Sequence, residues 1–296
     1  MSRVRSLAST AKGRSAPRLA GAGRRARRLL KKVDRRLGRA VRKLDPPKPR
    51  PKPKPEPASP PEPKVRARRS IPTEFDEDAR TIIDQVRPWT MTSMDKMFAL
   101  ITATRHIADA GIPGDVVECG VWRGGSMHAV ARTLHSVGVT DKDLYLFDTF
   151  TGMTEPTERD IRIGEGDYAS EMLESAGKNS RVWAVASLED VHEGLQTLPY
   201  PQERFHLVKG PVEETVPDKA PATIALLRLD TDWYESTRHE LEHLYERLQP
   251  GGVLIIDDYG SWQGAKDATD EFLAKLDRRP MLMRAGRARV GVKPGG

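Results

Sequence analysis

Four aspartates hold most of the chemistry that this chain could perform. Asp230 and Asp232 follow the apolar run Ile224–Leu229, and Asp257 and Asp258 follow a second run at 253–256. Between the runs, residues 236–248 carry Leu241, Leu244 and Leu248 at helical spacing and lead into Pro250-Gly251-Gly252. That order predicts a parallel strand–helix–strand unit with both acidic turns at the carboxyl ends of neighbouring strands. Open α/β sheets bind ligands at that edge. Four carboxylates gathered there repel one another unless a hard cation or a proton offsets them, so a divalent, oxygen-liganded metal, Mg²⁺, is expected. Taken singly, an aspartate such as Asp232 would read as a helix cap. Two pairs ending adjacent strands outweigh that reading.

A second constellation lies upstream. Residues 115–119 form a short apolar strand pattern containing Glu118. Gly120, Gly124 and Ser126 then lead into a helix that runs to about Leu134. Strand, glycine turn and helix N-terminus make a ligand cradle, because glycine lets the backbone approach closely and free N–H groups face the ligand. The spacing from Gly120 to Gly124 is not that of a dinucleotide fingerprint. Glu118 would repel a pyrophosphate and suits a ligand with an ammonium group. The next strand, 143–147, ends at Asp148, where an acid can accept ribose hydroxyls. A nucleoside without phosphates but with an amino-acid end fits both features: S-adenosylmethionine.

The elements that must position these groups follow from periodicity and punctuation. Helices are expected over 75–86, 93–110, 188–198 and 265–276, and strands over 204–209 and in a hairpin at 280–292 with Gly286 at its turn. Residues 154–180 are polar and glycine-bearing and read as a loop or lid over the site, with 182–186 as its extended edge.

Charge divides the 296 residues in two. Residues 1–70 hold 24 of the 49 lysines and arginines against four acids; the remainder holds 25 against 38, so the overall +7 describes neither part. Three regions are expected: a basic tail over 1–44, disordered at its start and an amphipathic helix over 24–44; a proline-rich spacer over 45–70; and a catalytic domain over 71–296. The tail suits an anionic membrane surface or nucleic acid, with a solvated helix lacking a fixed partner as the plain alternative and a mitochondrial transit segment as another. One cysteine, Cys119, excludes an internal disulfide framework and fits a reducing cytoplasm. No apolar run approaches the ~20 residues that span a bilayer. The expected localisation is cytoplasmic, with the tail able to bring the chain to a membrane surface.

The segments GIPGDVVECGVWRGGS (111–126), LYLFDTFTG (144–152), LRLDTDWYEST (227–237) and QPGGVLIIDDYGSWQG (249–264) together resemble the macrocin O-methyltransferase (TylF-like) family of class I methyltransferases, over roughly residues 75–290. The resemblance implies a Rossmann-like α/β fold, a mostly parallel seven-stranded sheet with helices on both faces. It also implies Mg²⁺-dependent methylation of a hydroxyl on a sugar, glycosylated small molecule or glycan. Mapped residue by residue, it puts Glu118, Gly120, Gly124 and Ser126 in the S-adenosylmethionine turn and Asp148 at the ribose. Asp230, Asp257 and Asp258 become metal ligands and Asp232 the general base. Ser261 stands where many relatives carry histidine, a departure that bears on acceptor choice. A homo-oligomer is compatible with all of this.

One motif points elsewhere. His239-Glu240-Leu241-Glu242-His243 spells H-E-x-x-H, which places two histidines on one helix face as in zinc proteases. No third ligand follows it, and it sits in the crossover helix, so solvent-facing helix histidines are the expectation. Two other activities are weighed against methyl transfer: phosphoryl or nucleotide-sugar chemistry, which the missing phosphate cradle disfavours, and an inactive methyltransferase-like binding module tethered by the basic tail.

Overall fold

The computed structural model describes residues 70–178 and 180–295. The predicted tail helix and proline-rich spacer therefore lie outside the described residues. Two helices come first: α1 (Glu77–Val86) and α2 (Met94–Asp109). Asp76 caps α1 by accepting the Ala79 N–H at 2.9 Å, and Ala79, Ile82, Ile83 and Val86 bury one face at helical spacing.

Alternation then begins: β1 (Asp115–Cys119), α3 (Gly125–Ser136), β2 (Leu144–Asp148), α4 (Ala169–Ser175), α5 (Leu188–Leu195), β3 (Phe205–Lys209) and the short α6 (Val212–Thr215). It continues with β4 (Ile224–Leu229), α7 (Tyr234–Leu244), β5 (Leu248–Ile256), α8 (Gln263–Ala274) and the hairpin β6 (Leu282–Ala285)–β7 (Ala288–Val292). The strands form one seven-stranded sheet in the order β3-β2-β1-β4-β5-β7-β6. β7 runs antiparallel to both its neighbours, and the other pairings are parallel.

Both sheet faces are covered, which is why the central strands read as continuous apolar runs. Successive side chains alternate between two cores. Val116, Leu144, Leu146 and Leu226 pack with α1, α2 and α3, whereas Val117, Phe147, Leu227 and Leu229 pack with Leu241 and Leu244 of α7. The strand order reverses direction at β1, with β2 on one side and β4 on the other, so a ligand crevice opens at the carboxyl ends of these strands.

Three local expectations change. The helix predicted to reach Leu248 stops at Leu244 and tightens into a 3₁₀ turn over Tyr245–Arg247, because Leu248 already pairs with Ile224. Pro250-Gly251-Gly252 consequently lies inside β5 and is absorbed there as a register shift. The segment 154–180 is a structured insert rather than an open loop: it contains α4 and makes the bridges Ile161–Tyr168 and Arg162–Trp262. Buried Asp160 fastens it, accepting the Thr157 N–H at 2.7 Å and the Tyr234 N–H at the start of α7 at 2.8 Å. Its far edge, expected to be extended, is a 3₁₀ turn over Arg181–Trp183.

Candidate active site

β4 and β5 are neighbours in register, Leu229 opposite Ile256, so the residues that follow them emerge side by side. Oxygens of Asp230, Asp257 and Asp258 all lie within 4.8 Å of one another. Two cations reach this group. Arg228, inside β4, sends Nη2 to Asp257 Oδ1 at 2.5 Å and to Asp230 Oδ2 at 2.7 Å, and its Nη1 pairs with Glu118 on β1. Lys96, on α2, donates to Asp257 Oδ2.

The electrostatics of the cluster are incomplete without more positive charge. Burial opposes ionisation of Asp257, but Arg228 and then Lys96 outweigh it and hold the carboxyl below the ordinary range. Burial raises Asp230 and Asp258 well above that range; Arg228 opposes the rise at Asp230, while Asp232 and Asp257 add to it at Asp258. Asp258 Oδ2 is buried with no hydrogen-bond partner. Three convergent carboxylates, in two of which burial and neighbouring carboxylates disfavour the charged form, fit a hard divalent cation that would offset them.

Asp232 stands apart from this trio. Its backbone is left-handed at φ 69°, unusual for a residue with a side chain. Trp262 Nε1–H donates to its Oδ1 at 2.6 Å. Burial pushes its carboxyl up to about 7, with Asp230 adding to the rise and the Trp262 bond opposing it. A carboxylate with that value can accept a proton near neutral pH. Trp122 (φ 47°) and Ala184 (φ 44°) are also left-handed and line the same cavity, as strained residues at functional sites often do.

That cavity, about 260 Å³, runs from the β1 and β2 ends to the acidic cluster. Gly120 forms part of its wall, and a Cβ there would lie 2.1 Å from the Asp230 carbonyl oxygen, so the β1 and β4 turns approach as only glycine permits. Asp148 also lines it, but its carboxylate braces the turn: Oδ2 accepts the Val121 and Trp122 N–H groups at 2.8 and 2.9 Å, and Oδ1 accepts Phe150 N–H at 2.7 Å. The Thr149 hydroxyl is also 3.4 Å from Oδ1, but its single proton has the shorter bond to the Gly152 carbonyl oxygen at 2.6 Å, so Oδ1 has lone-pair capacity for one strong further donor. Glu118, Gly124 and Ser126 do not line the cavity. Glu118 is buried in the sheet, its Oε1 paired with Arg228 and its Oε2 without a hydrogen-bond partner, and burial lifts its carboxyl to about 7 despite that guanidinium.

A second chamber of about 280 Å³ adjoins the first and shares Met91, Met153, Ala184, Asp232 and Asp258 with it. Its far wall is built by the insert and by Trp233 and Trp262, which pack edge to face with ring centroids 5.0 Å apart. Sequence reasoning missed Arg228, Lys96 and this chamber. The signal for Arg228 was present, since a lone arginine in an apolar strand requires a buried acid beside it, and Glu118 is its register partner.

The H-E-x-x-H residues do not form a metal site. His239 Nε2 is 2.9 Å from the Val216 carbonyl oxygen, His243 Nδ1 is 2.8 Å from the His239 carbonyl oxygen, and buried Glu240 accepts the Thr231 hydroxyl at 2.9 Å. Both histidines are half-buried rather than solvent-facing, because α7 lies against the α6 segment on one side and α8 on the other.

A doubly covered, mostly parallel seven-stranded sheet with its crevice at the β1–β4 switch point is the class I methyltransferase fold. The macrocin O-methyltransferase (TylF) family matches residues 63–282, and the chain belongs to that family. It is an S-adenosylmethionine-dependent O-methyltransferase. Among its relatives, the demethyldecarbamoylnovobiocin O-methyltransferase of Streptomyces niveus is 31% identical over 188 residues, 64% of this chain and 69% of that one. The 8-demethyl-8-(2,3-dimethoxy-α-L-rhamnosyl)-tetracenomycin-C 4′-O-methyltransferase of Streptomyces olivaceus is 32% identical over 183 residues, 62% of this chain and 67% of that one. The solved structure of the O-methyltransferase NovP superposes with a TM-score of 0.60 at 30% identity, covering 70% of this chain and 83% of that one. No described helix is long and apolar enough to cross a membrane.

Proposed function

We propose that this enzyme methylates a hydroxyl on a sugar, free or within a glycosylated small molecule or glycan, with Mg²⁺ at Asp230, Asp257 and Asp258 and Asp232 as the general base. The observation that carries the reading is the meeting of two chambers at Asp232 and Asp258, one bounded by the glycine turn and Asp148, the other open to an acceptor. The names of the two curated relatives, both O-methyltransferases of Streptomyces natural products, one bearing a rhamnosyl group, support a sugar acceptor.

Methyl transfer is an in-line displacement at a sulfonium carbon, so the protein must align an oxygen and take its proton. S-adenosylmethionine supplies the methyl group already activated. Gly120 and Asp148 bound the donor's chamber, and Oδ1 of Asp148 has the capacity to accept one ribose hydroxyl. Asp232, held by Trp262 and exposed to both chambers, takes the acceptor proton. Mg²⁺, when bound, lowers the pKa of a nearby hydroxyl and offsets the three carboxylates. Arg228 and Lys96 keep Asp257 ionised for that role. The basic segment 1–44 and its spacer are proposed as an appendage to this domain that meets anionic surfaces in the cytoplasm.

The test is calorimetric titration of the full chain with S-adenosylmethionine, with and without Mg²⁺, followed by transfer of labelled methyl to a panel of sugars and glycosides. Binding of the donor in both conditions and Mg²⁺-stimulated incorporation are expected. Donor binding without incorporation into any glycoside would turn the reading toward a binding module, and equal rates after chelation would remove the metal from it.

A further inference from the structure

The second chamber has a polarity that a neutral sugar does not need. Asp232 and Asp258 lie where it joins the donor chamber, yet three arginines, Arg162, Arg181 and Arg287, line the remainder. They come from separate parts of the chain: the Arg162–Trp262 bridge of the insert, the 3₁₀ turn before α5, and the β6–β7 turn. Arg162 has an exposed partner in Glu165 at 3.2 Å. Among the described residues, no carboxylate stands within ion-pair distance of Arg181 or Arg287. Beside these charges the wall is apolar, with Met172, Leu173 and Trp233.

Guanidinium groups are charged at every relevant pH and present planar donors that match phosphate and carboxylate oxygens. Arg181 and Arg287 are solvent-exposed, so their guanidinium groups are hydrated in the free chain; an anion on the acceptor would complement them, whereas a neutral glycoside would leave them to water. We infer that the acceptor carries, beside the hydroxyl to be methylated, a negatively charged group (a phosphate ester or a carboxylate) that Arg181 and Arg287, with Arg162, hold in this chamber. The inference rests on the sugar O-methyltransferase reading and narrows its substrate class to anionic sugars. The acidic end of the chamber takes the hydroxyl and the basic end the anion, which orients one sugar face toward the methyl donor.

The experiment is calorimetry on the full chain saturated with S-adenosylhomocysteine and Mg²⁺. It is titrated with matched sets built on glucose, galactose and rhamnose: the methyl glycoside, the 1-phosphate, the nucleoside diphosphate ester and, for the two hexoses, the methyl uronide. For at least one sugar, an anionic member should bind about tenfold or more tightly than its neutral counterpart, an advantage that shrinks in high salt. The Arg181→Ala/Arg287→Ala double variant should lose that advantage while still binding S-adenosylhomocysteine. Preference for phosphate esters over uronides, or the reverse, identifies the source of the charge. Equal binding of neutral and anionic members, an anion preference that survives in the double variant, or no binding of any member would overturn the inference. Methylation of a neutral glycoside as readily as of its anionic partner would also overturn it while leaving the sugar O-methyltransferase reading intact. Failure of S-adenosylhomocysteine itself to bind would strike that underlying reading.

Discussion

The strand-end aspartates and the 239–243 stretch of α7 both set metal-ligating residue types close together, but with opposite outcomes. At the strand ends, three carboxylates converge from two adjacent β-strands, and one of their oxygens is buried without a partner. On α7, each histidine has a ring nitrogen within hydrogen-bond distance of a backbone carbonyl, and the glutamate between them accepts a threonine hydroxyl. Spacing within one helix brings side chains onto a face, but the neighbouring elements decide what that face meets. A cluster becomes chemically available where its ligand atoms converge: the strand-end carboxylates do so, whereas on the crossover helix the histidine nitrogens lie against backbone carbonyls and Glu240, one of whose oxygens is likewise unpartnered, is bonded through the other to Thr231.

The comparison can be broken most severely at Arg228. Arg228→Met leaves Glu118, Asp230 and Asp257 without their shared buried cation, and should destabilise the fold by about 3–5 kcal/mol, read as a lower denaturant midpoint. A midpoint shift below about 1 kcal/mol would mean that the acidic crevice does not depend on this network.

Asp232→Asn tests the chemistry rather than the scaffold. Methyl transfer should fall by ~10²–10⁴ with donor binding unchanged. In the parent enzyme the base must be ionised, so the rate should rise with pH through about 7 and level off above it. Added positive charge favours the carboxylate, so Mg²⁺ should move this limb to lower pH. Trp262→Phe removes a donor to the carboxylate and should move it higher. A pH–rate profile that Asp232→Asn leaves unchanged would rule out this residue as the base.

The smallest effect belongs to the histidine pair. His239→Ala with His243→Ala should cost roughly 1–2 kcal/mol through lost hydrogen bonds and leave methyl transfer within a factor of two. Stoichiometric zinc in the parent protein that disappears in the double variant would show that the helix face, too, is a metal site.

Much of the architecture was legible because its signals are local. The apolar run Ile224–Leu229 and its acidic end, the glycine-marked turn after β1, and the β6–β7 hairpin about Gly286 each follow from period and punctuation within a dozen residues. The boundary of α7 was missed because the pairing of Leu248 with Ile224 overrides helical periodicity at its end. The insert 154–180 reads as a loop or lid from its polar composition, and its internal structure is not legible because Asp160 acts as a cap only once the N-terminus of α7 is beside it.

The sequence by itself determined which residue types gather at the sheet's carboxyl edge, since strand ends and turn glycines are written in neighbouring positions. Tertiary structure alone decided which charges are compensated. Lys96 reaches Asp257 across 161 positions and leaves no local trace; Arg228 in its apolar strand signals a buried acid, but only the fold identifies it as Glu118, 110 positions away. It also decided that Glu118 serves the sheet interior while Asp232 faces two chambers. The physical reason is desolvation: a carboxylate's proton affinity depends on how much water and which charges surround it, and those are properties of the folded site rather than of the residue.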